Sequence, residues 1–228
     1  MKDKILVWDL PLRLFHWGFA VSVLGAWITH ELGEDYISLH MQIGYVALGL
    51  VIFRIIWGFI GPYYSQFKSF FPSPKNLLCY IKSFKSANGK TYLGHNPVGS
   101  LSVFAMLFLI LIQSISGLFM NDEIFTTGPY HNVFGGEIDK VMKFIHHNAF
   151  DLMKFLIFIH IGAIVYYKVV KKQALASSMI TGKKEGRSDT SSIKSSKIIL
   201  AIITALIVIV TVYWLVVLNV PEVDDFYY

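Results

Sequence analysis

The chain has 228 residues, of which 54% are hydrophobic and only 15% are charged, with a formal net charge of +5 and a mean hydropathy of +0.54. Charged residues make up about a quarter of a soluble domain, so this is the composition of an integral membrane protein. The single cysteine, Cys79, excludes an internal disulfide and an iron–sulfur cluster held by thiolates. The basic residues follow the predicted membrane boundaries, and we predict no nucleic-acid partner.

Five apolar segments reach the length of about 20 residues that a helix needs to cross a bilayer. They cover residues 10–31, 37–60, 97–119, 140–167 and 197–218. Asp9 and Pro11 provide an N-cap and a first-turn proline for the first segment. Residues 73–85 place apolar and lysine side chains on different faces, which predicts a short amphipathic helix at the membrane interface.

The distribution of charge predicts the orientation of the chain in the membrane. Most of the 20 lysines and arginines lie in the N-terminus, in residues 61–97 and in residues 168–197. The other loops and the tail 221–228 are mainly acidic. Lysine and arginine favour cytoplasmic loops, so we expect a cytoplasmic N-terminus and a periplasmic C-terminus.

The fourth apolar segment contains three histidines, and an ionisable side chain at membrane depth usually marks a functional site. His146 and His160 are 14 residues apart. In a helix this spacing puts them about 40° apart around the axis and about 21 Å apart along it. His147 points elsewhere. One helix thus offers two imidazoles on one face, one towards each membrane surface.

Opposing histidines are available on other segments. His16 lies at the same depth as His160, whereas either His30 or His40 can oppose His146. The helical geometry leaves both alternatives open, because His30 follows His16 by the same 14 residues. Two separated imidazole pairs suit the iron of two b haems better than zinc or copper, which draw three or four ligands together.

Two residues on the second segment favour His40. Gly44, one turn after His40, leaves room for a porphyrin to approach. Arg54, 14 residues after His40, would reach the inner depth, where haem propionates need cations.

The sequence resembles the bacterial cytochrome b561 family, which includes the cytochrome b subunits of nickel–iron hydrogenases. The similarity covers about residues 7–185. The stretches that carry it are VWDLPLRLFHW (7–17), LHMQIGY (39–45), RIIWGFIGP (54–62), FFPSPK (70–75), YLGHNPVGS (92–100), QSISGLF (113–119), the histidines of the fourth segment and MITGKK (179–184).

This resemblance implies an all-α fold, a four-helix membrane bundle that holds two b haems. The ligands that it implies are His16 and His160 for the cytoplasmic-side haem and His40 and His146 for the outer haem, which favours His40 over His30. His95 would be a polar contact near the cytoplasmic-side haem or a quinone.

The remaining predictions concern the other cofactor contacts and the domains. Arg13, Arg54 and Gly44 complete the predicted cofactor-binding residues, and no catalytic residue is predicted. Residues 1–185 form the predicted dihaem domain. Residues 186–228 add a basic linker, a fifth transmembrane helix that departs from the family pattern, and a short acidic outer tail. The fifth helix is interpreted either as a packing or partner-docking helix or as a plain anchor.

Three functional hypotheses follow. The first is electron transfer across the bacterial inner membrane between a quinone pool and a redox partner such as a periplasmic cytochrome c. The second is an anchor and electron-relay subunit of a larger oxidoreductase, such as a hydrogenase. The third is a haem-free transporter or scaffold, although none of the five segments has the broken interior that is typical of a transporter. Membrane lipid is the remaining expected partner.

Overall fold

A computed structural model describes residues 3–83, 92–122, 126–186 and 192–221, and most of the chain is helical. A π-helical turn, Trp214–Leu218, extends the last helix. Two 3₁₀ helices, Glu34–Tyr36 and Tyr63–Ser65, and two short strands are also present. The helices are α1 (Leu10–Glu31), α2 (Ile37–Ile60), α3 (Phe67–Phe70), α4 (Pro74–Ser83), α5 (Pro97–Gly117), α6 (Gly136–Val169), α7 (Leu175–Thr181) and α8 (Ile198–Tyr213), and the strands are β1 (Asp3–Leu6) and β2 (Lys183–Gly186).

Five helices in the described part of the chain are long and apolar enough to cross a membrane, which confirms the predicted number. The first two have the predicted bounds, whereas α5 ends two residues early and α6 extends beyond both predicted ends. The amphipathic helix is confirmed as α4. Its predicted residues 84–85 lie outside the described residues, as do residues 222–228 of the predicted acidic tail.

Three helices begin in the same way, with a polar capping residue one or two positions before a proline. The backbone N–H of Leu12 donates to Asp9 at the start of α1. Ser73 accepts from Asn76 at the start of α4, and Asn96 accepts from Gly99 at the start of α5. A capping side chain satisfies a backbone N–H that has no partner within the helix, and proline suits the first turn because it lacks that N–H.

The two strands were not predicted from the sequence. They pair antiparallel, with Ile5 opposite Lys184. Gly182, between α7 and β2, accepts from the backbone N–H groups of Val7 and Trp8 at 2.9 and 3.0 Å. Its φ of +78° is one that glycine adopts without strain. This ribbon joins the N-terminus to the segment that follows α6.

The chain divides into two compact units, and each contains part of every membrane-length helix. The first unit consists of Met1–His16, Arg54–Met106 and Leu156–Ile202. The second consists of Trp17–Phe53, Leu107–Phe155 and Ile203–Tyr228. The division into residues 1–185 and 186–228 stays a prediction.

Asp9 organises the interior of the first unit. It is fully buried, and its Oδ1 accepts from Leu12 N and from Trp57 Nε1 at 2.9 and 3.0 Å. Its other oxygen accepts from the hydroxyl of Ser65. Trp57 and Ser65 are also fully buried. Because a buried carboxylate is costly unless its oxygens are hydrogen-bonded, these donors explain why Asp9 is tolerated there.

In the second unit the fifth membrane-length helix packs on α2. Thr204, Val208 and Val212 recur every four residues and are buried. A Cβ atom added to Gly49 would lie 3.8 Å from Val208 and 3.9 Å from Val212, so the two helices approach closely at that glycine. Many of the remaining apolar side chains of α8 are exposed, which suits contact with lipid.

Candidate functional site

The second unit brings His40 and His146 face to face. Their ring centroids are 6.3 Å apart, and the ring planes are 80° apart. Imidazole–metal bonds of about 2 Å on both sides of one ion would put two ring centroids about 6 Å apart. Within the described residues, no group of three or more histidine, cysteine, aspartate or glutamate side chains could hold a metal ion. The arrangement therefore suits a metal-centred group that is ligated from two sides.

The hydrogen bonds of both rings leave the correct nitrogen available. His40 Nδ1 lies 2.8 Å from the carbonyl oxygen of Ala26, and His146 Nδ1 lies 3.0 Å from that of Gln113. Carbonyl oxygens only accept, so both Nδ1 atoms carry the proton and both Nε2 atoms keep a free lone pair. Histidines that ligate metals usually donate their other N–H to such a partner, which fixes the tautomer and the ring orientation.

Two residues of α5, Ser116 and Gly117, lie against the ring of His146. The hydroxyl of Ser116 lies 3.2 Å from His146 Nδ1 and donates to Gln113 O at 3.0 Å, so both share the same carbonyl. Gly117 leaves space for that ring, because a Cβ there would lie only 3.0 Å from Cε1 of His146. Neither residue was predicted as part of the site, although both lie in the stretch QSISGLF.

His30 and His147 flank this pair but differ from it in their surroundings. The ring of His30 is 5.9 Å from that of His40, and the ring of His147 is 6.3 Å from that of His146. Both residues are exposed, whereas His40 and His146 are half-buried. In the described structure neither His30 nor His147 has a carbonyl partner for its ring. The structure thus brings His30 near His40 without the anchoring that the facing pair has.

The first unit contains the other predicted pair. His16 and His160 are within electrostatic range of each other, and both are half-buried. Gly162, two residues after His160, has open space where its Cβ would be. Gly44 in the second unit likewise has open space, as predicted for a residue beside His40.

Arg54 is the most buried cation in the described structure, with 2% of its surface exposed. Its guanidinium carbon lies 4.7 Å from the centre of the Phe67 ring. Its Nη1 atom is buried and has no hydrogen-bond partner among the described residues. Asp9 is the carboxylate that interacts with it electrostatically. A buried guanidinium with an unused donor can bind a further anionic group.

His95 lies between two aromatic rings, 4.8 Å from Trp8 and 4.4 Å from Phe70. Burial, followed by the positive charge of Arg54 and then of Lys184, lowers the pKa of His95 to about 3. Its Nδ1 atom is buried and unpaired within the described part of the chain. Lys184 was not predicted as a site residue; its ammonium lies 5.1 Å from the ring of Trp8.

Arg13 has a clear structural partner. Its Nη1 donates to the backbone carbonyl of Ile180, while its buried Nε has no partner among the described residues.

A hydrogen-bonded link in the first unit joins α4, α5 and α6. Asn96, just before α5, donates to the hydroxyl of Tyr167 at 3.1 Å. The hydroxyl of Tyr167 also shares a hydrogen bond with that of Tyr80 on the amphipathic helix α4. This link, too, was missed from the sequence.

Membrane-length helices that carry facing imidazoles make this chain an integral membrane protein of the type that holds a metal-centred cofactor. The family described as prokaryotic cytochrome b561 matches residues 7–182. The chain belongs to that family. Membership implies haem b as the cofactor and gives the protein a role in membrane electron transfer.

Curated relatives agree with the family. The chain is similar to a probable Ni/Fe-hydrogenase B-type cytochrome subunit of Bradyrhizobium diazoefficiens, with 23% identity over 217 residues that cover 82% of this chain and 88% of that protein. A protein of the same name from Azotobacter chroococcum mcd 1 is 24% identical over 222 residues, which cover 82% and 91% of the two chains. Another from Rhodobacter capsulatus is 24% identical over 220 residues, which cover 82% and 84%. No solved structure matches the chain.

Proposed function

We propose that this protein carries electrons across the bacterial inner membrane through two b haems, each held by two histidines. The ligands would be His40 and His146 in the second unit and His16 and His160 in the first. The observation that carries the proposal is the facing pair His40 and His146, with a ring separation of 6.3 Å and both Nδ1 atoms held by backbone carbonyls.

The chemistry supplied by the bound haems is one-electron oxidation and reduction of an iron that has no open coordination position. The protein residues would orient and tune the cofactor. The carbonyls of Ala26 and Gln113 fix the imidazole tautomers and raise the basicity of the ligating nitrogens. Gly44 leaves room beside His40. Arg54, and the unused Nε of Arg13, would offer cations to propionates.

The decisive experiment is a reduced-minus-oxidised absorption spectrum of the purified protein, with haem measured per chain. We expect two low-spin b haems. Replacement of His40, His146, His16 or His160 by alanine should remove one haem and keep much of the other. A protein without haem, made with ample haem supply, would refute the proposal.

The exposed histidines provide matched controls. His30→Ala and His147→Ala should keep both haems, because these rings lack the backbone anchors of the facing pair. If His30→Ala loses a haem while His40→Ala keeps both, the outer ligand is His30 and the assignment of His40 is wrong.

We further propose that a quinone exchanges electrons with the protein, with the N-terminus in the cytoplasm and the C-terminus in the periplasm. The basic loops support this orientation. The outer redox partner would be a periplasmic cytochrome c or the electron-transfer surface of another protein. A cysteine introduced at Lys4 should be labelled by an impermeant thiol reagent only after the cells are broken, and labelling in intact cells would contradict the orientation.

A second candidate function is that of a relay subunit in a larger oxidoreductase. The names of the relatives favour it, since each of those described above is a probable Ni/Fe-hydrogenase B-type cytochrome subunit. Gentle purification from the native membrane separates the two candidates. A co-purifying peripheral oxidoreductase that reduces the haems supports the relay role. An isolated chain that exchanges electrons with quinol at full rate supports independent function. The family membership favours both over a haem-free transporter or scaffold.

A further inference from the structure

Three side chains of the first unit, Arg54, His95 and Lys184, form what we call the donor cluster. His95 and Lys184 both contact the ring of Trp8, at 4.8 and 5.1 Å. Arg54 lies over Phe67, which contacts Phe70 and through it His95. The cluster therefore surrounds one group of aromatic rings, and its members come from three separate parts of the sequence.

The donor cluster has more donors than the described residues use. Arg54 Nη1 and His95 Nδ1 are buried without a hydrogen-bond partner among the described residues, and the half-buried Lys184 places its ammonium over the ring of Trp8. The nearest carboxylate, Asp9, already accepts from Leu12, Trp57 and Ser65. Buried donors and cations without an acceptor are costly. Such a set is stable when an anion completes it.

Lys184 reaches the cluster because of the β1–β2 ribbon. It lies opposite Ile5 in the antiparallel register, and alternate residues of a strand point to opposite faces. Lys184 is accordingly half-buried, whereas its neighbours Lys183 and Glu185 are exposed. Burial lowers the pKa of Lys184 to about 8, as expected for an ammonium drawn away from water. The strand register thus half-buries Lys184, whereas Lys183 of the same basic segment stays exposed.

We propose that Lys184 is a cofactor-binding residue, which together with Arg54 and His95 binds a propionate carboxylate of the haem held by His16 and His160. This inference rests on the proposed dihaem function. The donor cluster belongs to the same compact unit as His16 and His160, and His95 is within electrostatic range of both histidines. A carboxylate, with four acceptor positions, can accept from an ammonium, a guanidinium and an imidazole together.

The test is a redox titration of the haem-loaded full chain that carries Lys184→Gln. A cation near a haem favours the reduced iron, so the substitution should shift the reduction equilibrium of one haem towards the oxidised state by about tenfold. For one electron this is a change of about 59 mV. The affected haem should be the one missing from His160→Ala. Lys184→Arg keeps the charge and should keep the wild-type potential, even if Lys184→Gln binds less haem.

The matched control is Lys183→Gln, which removes an exposed charge from the same strand and should leave both potentials unchanged. If Lys184→Gln behaves like Lys183→Gln, the inference is refuted. If the wild-type chain has no haem at all, the proposed function itself fails. The two failures are therefore distinguishable.

Another anion, such as a lipid phosphate, could satisfy the same donors. Reconstitution with haem dimethyl ester, which lacks free carboxylates, separates the two sources. Lys184→Gln should lower the affinity for ordinary haem, and with the ester this difference in affinity between Lys184→Gln and the unsubstituted chain should disappear. A difference that persists with the ester would overturn the propionate assignment in favour of another anion.

Discussion

Asp9 offers the sharpest test of how the first unit is held together. Asp9→Ala would leave three buried donors, on Leu12, Trp57 and Ser65, without their acceptor. Each unsatisfied buried donor costs about 1–3 kcal/mol, so the total is roughly 3–9 kcal/mol, before the lost interaction with Arg54. Because native stabilities are about 5–15 kcal/mol, we expect little folded Asp9→Ala protein.

Asp9→Asn removes the charge but keeps one acceptor oxygen. That oxygen can still accept from Leu12 and Trp57, while the amide can donate to the hydroxyl of Ser65. We expect an intermediate loss of about 1–3 kcal/mol. Thermal unfolding of the detergent-purified variants, followed by tryptophan fluorescence, should rank the wild type above Asp9→Asn and Asp9→Asn above Asp9→Ala.

Glu137→Gln is the matched control for this series. Glu137 forms an ion pair with Lys140 at 2.6 Å before the predicted span 140–167, and its side chain is 88% exposed. A pair exposed to water contributes little to stability, so this variant should melt close to the wild type. If Asp9→Ala also melts at the temperature of the wild type, the buried hydrogen bonds of Asp9 do not stabilise the unit.

Two further predictions concern the same unit. Gly182→Ala should destabilise the protein by more than about 1 kcal/mol, because a left-handed backbone disfavours alanine and its Cβ would lie 2.7 Å from the carbonyl oxygen of Trp8. Gly136→Ala, with open space at its Cβ, should have no such effect, and equal melting temperatures would contradict the argument. The pKa of His95 is lowered to about 3, so the unfolded chain binds more protons than the folded one between about pH 6.5 and 3. Stability should therefore fall by up to about 1.4 kcal/mol per pH unit as the pH drops through that range. The slope should flatten in His95→Gln, and an unchanged slope would argue against a buried neutral imidazole.

The membrane helices were predictable because length and hydropathy are local properties of the sequence. The cap at Asp9 was predictable for the same reason, since it lies two residues before Pro11 at the edge of an apolar run. The β1–β2 ribbon was not. Its strands have four residues each, they are polar, and they pair across most of the chain, so no local alternation marks them.

The helical spacing of the predicted histidines could be read from the sequence, but the backbone carbonyls that hold the rings could not. The 14-residue interval between His146 and His160 follows directly from helical geometry. Helical geometry alone could not choose between His30 and His40, because both lie towards the outer ends of their segments. The feature that now distinguishes them is the carbonyl of Ala26, a contact between two helices. Lys184 could not be singled out within its basic segment, because only the strand register distinguishes it from Lys183.

The ribbon also imposes an order on biosynthesis. Strand β1 is made first, but its partner β2 emerges only after α6 and α7 have been synthesised. At about 5–20 residues per second, the interval is about 10–40 s. During that time the first four membrane helices can enter the bilayer while residues 3–6 have no strand to pair with. Strand β1 can therefore pair only after residues 183–186 have left the ribosome.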